Sequence, residues 1–311
     1  MGQTSIYSRL VHMAGAWSTA YGPFVLRSAL QPIFRRISDD VLDVYAFQGL
    51  VRAERNEEPY PPSQFFPLVE SQDLPSVDSL LRSIHILNVG SLNRARAGVF
   101  VSFQPQLYID PSAMRLELDR IRLAGHEVAV QPDRIVCDIN SNTGDGRLIA
   151  SAIRQLRQAG FRISISNYEA SETSIEVVRL HKPDFVRFDG DWVRDYMHNS
   201  AGFALLRVIV RQLRDDGIEP IFERLEENWQ VELCTDLGVT LLQGYALARP
   251  QLAPADFNEM FPEVSFSPTG DPIPASASSP LPKRSSIDAP AVVLPQPTRP
   301  SRVFGKRGSN S

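Results

Sequence analysis

RIVCDINSNTGDGRLIASAIRQLRQAGFRISISNY (134–168) reads as strand, helix, strand. RIVCDIN (134–140) and RISISNY (162–168) are short apolar, β-branched runs, and the stretch from Asp145 to Ala159 between them has a helical period. Gly160 falls just past the helical run, where a residue with positive φ is often needed, and Gly238 marks a second such stop. A strand joined to the next by a helix is the unit of a parallel sheet.

The same alternation extends in both directions. Further strands are expected at ALQPIFR (29–35), VLDVYAFQGLV (41–51), GVFVSFQ (98–104), FVRFD (185–189), EPIFER (219–224) and LLQGYAL (241–247). Helices are expected at Ser63 to Val89, Pro111 to Ala124, Glu172 to Leu180, Asp191 to Asp215 and Glu226 to Leu237. The pattern predicts an α/β fold, a TIM-like β/α barrel. Only Ile37 to Asp40 separate the first two strands, too few residues for a helical crossover, so that pair is expected to be antiparallel.

With 311 residues, 43% hydrophobic and 22% charged, the chain suits one barrel-sized domain. Residues 29–263 are assigned to it, 1–28 to a loosely packed leader, and 264–311 to a Pro/Ser-rich tail expected to be disordered. That tail carries a net charge of +4 against −4 for the whole chain, leaving −8 for the rest. A net acidic chain argues against a nucleic-acid partner. No apolar run approaches the length of a membrane span. Cys137 and Cys234 lie far apart in apolar stretches, and the five histidines are scattered without an i, i+4 pair, which argues against a disulfide framework, a cysteine-based metal site or an imidazole site. A cytoplasmic location is expected.

Reactive groups of a β/α barrel sit at the C-terminal ends of its strands. Here those positions are Gln48, Ser102, Asp138, Ser166 with Asn167, Asp189, Glu223 and Gln243. Only Asp138, Asp189 and Glu223 supply the carboxylates that Mg²⁺ or Mn²⁺ prefers. Gln243 and Asp138 interrupt apolar strands and need buried partners.

In order and spacing, LQPIF, FQGLVR, VFVSFQPQL, VCDIN, ISISNYE, FVRFDGDWV, IFERLEE and LLQGYALARP resemble the signature blocks of EAL-domain cyclic di-GMP phosphodiesterases, from about residue 30 to 250. The resemblance implies a TIM-like barrel with an antiparallel strand at its start, and a two-metal phosphodiesterase site. The namesake Glu-Ala-Leu is Gln48-Gly49-Leu50 here, the Asn of the next block is Ser102, and the Asp-Asp pair is Ser166-Asn167, so three carboxylates and one amide ligand are replaced. The family's lysine, which helps activate the attacking water, corresponds to Arg187, which stays protonated and cannot act as a base. Asp138 stands for a family Glu, one methylene shorter, whereas Asp189, Glu223 and Gln243 match the pattern. Gln31 and Arg52 fall on positions that touch the nucleotide in active members, while Gly49, Phe103 and Glu169 alter the pocket lining.

The expected function is therefore a non-catalytic regulatory module of cyclic di-GMP signalling, working through a protein partner and sensing cyclic di-GMP at Gln31, Arg52 and Gln243. No cofactor is expected; Mg²⁺ or Mn²⁺ at Asp138, Asp189 and Glu223 would accompany residual activity only. Two readings compete: a weak metal-dependent phosphodiesterase, and an adaptor acting through the Pro-rich tail. The resemblance also implies homodimerisation through the apolar FALLRVIV segment of the helix expected at Asp191 to Asp215.

Overall fold

A computed structural model describes residues 6–38, 41–140, 145–266 and 272–273. The chain opens with an antiparallel meander, β1 (Leu10–Met13), β2 (Ala16–Tyr21), β3 (Phe24–Ser38), β4 (Val41–Arg55) and β5 (Glu58–Tyr60). From β4 the pairing turns parallel through β6 (Gly98–Ser102), β7 (Ile135–Asn140), β8 (Arg162–Tyr168), β9 (Phe185–Phe188), β10 (Glu219–Phe222) and β11 (Leu241–Leu242). β11 then returns to β3, antiparallel, and closes a ring of eight strands among the described residues: β3, β4 and β6 to β11. The TIM-like barrel and its antiparallel first pair are thus both present. The last strand of this sheet, β12 (Gln251–Leu252), also pairs antiparallel with β3.

Strand alternation builds two apolar layers. Ile33, Ala46, Phe100, Val136, Phe185, Ile221 and Leu241, about one from each strand, pack together and fill the barrel. Their chain neighbours, such as Phe47, Val99, Cys137, Val186 and Leu242, face the helices. Parallel strands buried on both faces explain why the runs read as apolar throughout.

The helices are α1 (Pro62–Phe65), α2 (Leu74–Gly90), α3 (Pro111–Glu127), α4 (Gly146–Gln158), α5 (Glu172–His181), α6 (Gly190–Met197), α7 (Ser200–Asp215), α8 (Asn228–Leu237) and α9 (Phe257–Met260). Two expected helices are each broken. The one drawn from Ser63 to Val89 becomes α1, a 3-10 turn and α2, because Pro67 and Pro75 lack the N–H a continuous helix would use. The one drawn from Asp191 to Asp215 divides at Asn199, whose backbone is extended and whose side chain accepts from Gly202 N at 2.6 Å, capping α7.

Residues 1–28 also need correction. Most of the expected loose leader is ordered sheet, since β1, β2 and the first residues of β3 fall within residues 10–28. Asn88 of α2 holds it in place as a strand would: its Oδ1 accepts from Trp17 N and its Nδ2 donates to Trp17 O, both at 2.8 Å. Of the expected tail, Ser265–Phe266 pairs antiparallel with Pro272–Ile273; the disorder expected for the remainder falls outside the described residues.

Helix α2 is enclosed on nearly every side and carries buried polar groups as well as apolar ones. His85, 5% exposed, shares a hydrogen bond of 2.8 Å with Ser28 Oγ. Burial, reinforced by the nearby Arg82 charge, pushes its pKa from 6.5 down to about 3. The unfolded chain therefore takes up a proton near pH 6.5 that the native state refuses, and stability falls as pH drops below that value. Between pH 7 and pH 5 this group should cost about 2 kcal/mol. Urea midpoints for the wild type and His85→Gln at both pH values check it; equal pH slopes would disprove it.

Candidate functional site

The polar ring follows from the inner apolar layer by strand alternation. Two residues beyond Ala46, Phe100, Val136, Phe185, Ile221 and Leu241 come Gln48, Ser102, Asp138, Arg187, Glu223 and Gln243, on the same face one level nearer the mouth. β3 runs the other way, so Gln31 precedes Ile33 and lies opposite Gln48 in the strand register. In β8 the inner residue is Ser164, fully buried, and Ser166 follows it. Asn167 then adopts φ +57°, at a register shift between Ile165 and Tyr168. Asn enters this left-handed region more readily than most residues.

Five of these residues are joined by hydrogen bonds, and Arg187 is their centre. Its Nη1 donates to Asp138 Oδ2 at 3.0 Å, while Nη2 donates to Gln243 Oε1 at 3.0 Å and pairs with Glu223 Oε2. Gln243 Nε2 in turn donates to Gln48 Oε1 at 2.9 Å. Arg187 and Gln243 are each 2% exposed, and the carboxylates of Asp138 and Glu223 are only slightly more open. Burial works against the Arg187 charge, but Glu223 and Asp138 outweigh it and hold its pKa above the ordinary arginine value. Arg187 Nε and Asp138 Oδ1 are buried without a hydrogen-bond partner among the described residues.

Asp189, Ser102 and Arg52 make other contacts. Asp189 caps α6, its Oδ1 accepting from Trp192 N at 2.9 Å, and is not a partner of Arg187. Ser102 is exposed at the end of β6, and its carbonyl accepts from Arg82 Nε at 3.1 Å. Arg52 sits on the rim, donating to Val51 O at 3.1 Å, and lines a cleft of about 400 Å³ with Ala29, Glu54, Tyr60, Pro250 and Leu252. Gly49 faces outward from β4, where a Cβ would come within 2.3 Å of the His85 ring. The neighbouring Ala of the family motif would therefore collide with His85.

Arg82, His85 and Asn88 were not singled out from the sequence. A charge, an imidazole and an amide inside the run LLRSIHILNV (80–89) each demand a buried partner, and that was the available signal. Arg82 pairs with Asp78 and Glu117, and its Nη1 donates to Tyr108 Oη at 3.3 Å, beneath the β6 end of the mouth.

The donor set does not fit a divalent metal. One oxygen each of Asp138, Glu223 and Gln243 accepts from a guanidinium, and no group of three or more His, Cys, Asp or Glu side chains converges among the described residues.

Residues 25–250 match the EAL domain family. The chain is 27% identical over 124 residues to the probable cyclic di-GMP phosphodiesterase PdeA of Escherichia coli K12, covering 39% of this chain and 17% of that protein. It is 30% identical over 99 residues to the cyclic di-GMP phosphodiesterase PdeB of Shewanella oneidensis, covering 32% and 12%. These matches span less than a fifth of either relative. Among solved structures, a standalone EAL protein from Vibrio cholerae O395 in its c-di-GMP-bound form superposes with a TM-score of 0.64 at 18% identity, covering 75% of this chain and 98% of that one. A match across most of the barrel places this chain in the EAL-domain family.

Proposed function

We propose that this chain is a hydrolytically silent EAL module of cyclic di-GMP signalling, which binds cyclic di-GMP without turning it over and passes the signal to a protein partner. The observation that carries the reading is the neutral amide pair of Gln48 and Gln243, bonded to each other at 2.9 Å where the family motif has a carboxylate. Ser102, Ser166 and Asn167 continue that neutrality around the mouth. Losing three negative ligands lowers affinity for a dication steeply. Gln31 and Arg52 stay available at the rim, where Arg52 adjoins the cleft and can meet a phosphate. On α7, Leu205 and Val208 are 43% and 62% exposed and offer an apolar face to a protein partner or a second copy.

Isothermal titration with cyclic di-GMP, with and without Mn²⁺, tests the reading when the same samples are assayed for linear product. Binding that ignores Mn²⁺ and yields no product is expected, and Arg52→Ala should weaken it at least 10-fold. Linear product formed in a metal-dependent way would overturn it. Absence of binding would remove the ligand and leave only the protein partner.

A further inference from the structure

We propose that Arg187 is a resident cation holding the centre of the site, and that it, more than the missing carboxylates, keeps divalent metals out. This rests on the silent reading above and names the device behind it. The side chain rises from β9 and braces the barrel: one nitrogen reaches Asp138 on β7, the other Glu223 beyond β10 and Gln243 beyond β11. Each of these three side chains thus gives one oxygen to the guanidinium that a metal at this mouth would compete for. The guanidinium side chain is 3% exposed and sits between the two carboxylates.

Lysine at this position would behave differently. An ammonium is a compact charge on a flexible stem and cannot donate from two nitrogens to two separate carboxylates, as the planar fork does. It can also lose its proton when a dication approaches, whereas a guanidinium keeps its charge. A metal entering here must therefore expel a buried cation paired with two carboxylates or sit beside it, and a dication and a guanidinium at contact distance repel each other. Ligand binding at this mouth is consequently independent of metal.

The test compares two variants of the full chain. One carries Gln48→Glu, Ser166→Asp and Asn167→Asp; the other adds Arg187→Lys. Mn²⁺ binding is read by titration calorimetry and by the loss of the free-ion paramagnetic resonance signal. The second variant should bind Mn²⁺ at least about 100-fold more tightly than the first. Equal affinity in the two, or no binding by either, would overturn the role given to Arg187. Hydrolysis by the wild-type chain would instead overturn the silent reading, so the two failures are separable. Should the multiple variants not fold, Arg187→Met decides the matter. Its uncompensated Asp138 and Glu223 should lower the melting temperature by roughly 10 °C. Mn²⁺ at millimolar concentration should restore several degrees while leaving the wild type unmoved. A variant that melts at the same temperature with and without Mn²⁺ would count against the proposal.

Discussion

Gly244→Ala is expected to cost at least about 3 kcal/mol and to lower the melting temperature by on the order of 10 °C. A Cβ at this position would lie 2.0 Å from Leu225 O and 2.3 Å from Leu225 N. Both obstacles are backbone, and neither can swing aside. Leu225 N donates to Gln243 O at 3.1 Å, and Leu225 O accepts from Ala246 N at 2.9 Å, so the two loops are stitched together on either side of the glycine. Any displacement also moves Gln243 and, through it, Gln48 and Arg187. Calorimetric melting of the variant checks the prediction; a loss under about 1 kcal/mol would mean that the loops separate more freely than their bonding implies.

Arg82→Met is the second large effect. The Arg82 and Glu117 side chains are each 1% exposed, and Asp78 completes the group at 10%. Tyr108 Oη and the Ser102 carbonyl take further donors, and the Phe103 ring lies 4.8 Å from the guanidinium. Removing the arginine leaves Glu117 buried, with the more distant Arg120, 3.7 Å away, as its remaining ion-pair partner among the described residues. Breaking a buried pair from one side costs about 3–5 kcal/mol. Burial already raises the Glu117 pKa despite Arg82, and without that cation it rises further. The variant should therefore regain part of its loss as the pH falls and Glu117 takes a proton. The double variant Arg82→Met with Glu117→Met should recover much of the remainder, since matched apolar groups replace such pairs at little cost. Urea unfolding of both variants measures this, and a double variant no more stable than the single one would refute it.

The barrel was legible because its signal is local. An apolar run, a Gly-stopped helix and another apolar run specify a parallel unit without knowledge of the rest, and Gly160 and Gly238 do adopt φ +90° and +75°. The strand-end residues were legible for the same reason, since a period of two fixes Asp138 and Arg187 on the inward face once Val136 and Phe185 are placed there. Legibility ends where a partner lies far along the chain. LLQGYAL reads as one strand, yet β11 stops at Leu242 because the backbone of Leu225 fits against Gly244. The segment before Ala29 looks structureless until Asn88, 71 residues beyond Trp17, supplies its hydrogen bonds. In the site, the exchange of lysine for arginine is visible in sequence; that the guanidinium spans from β7 to β11 is not.

The antiparallel placement of β3 governs the order in which the molecule can be assembled. On the edge away from β4, beyond the short stretch paired with β2, its partners are β11 and β12, some 200 residues later in the chain. During synthesis the ring cannot close until those last segments have left the ribosome. Until then the stretch of β3 around Ala29 to Arg35 presents open backbone groups along that edge, a template for mispairing with a neighbouring nascent chain. Contacts this distant in sequence also slow folding, so the window of vulnerability lasts beyond translation itself.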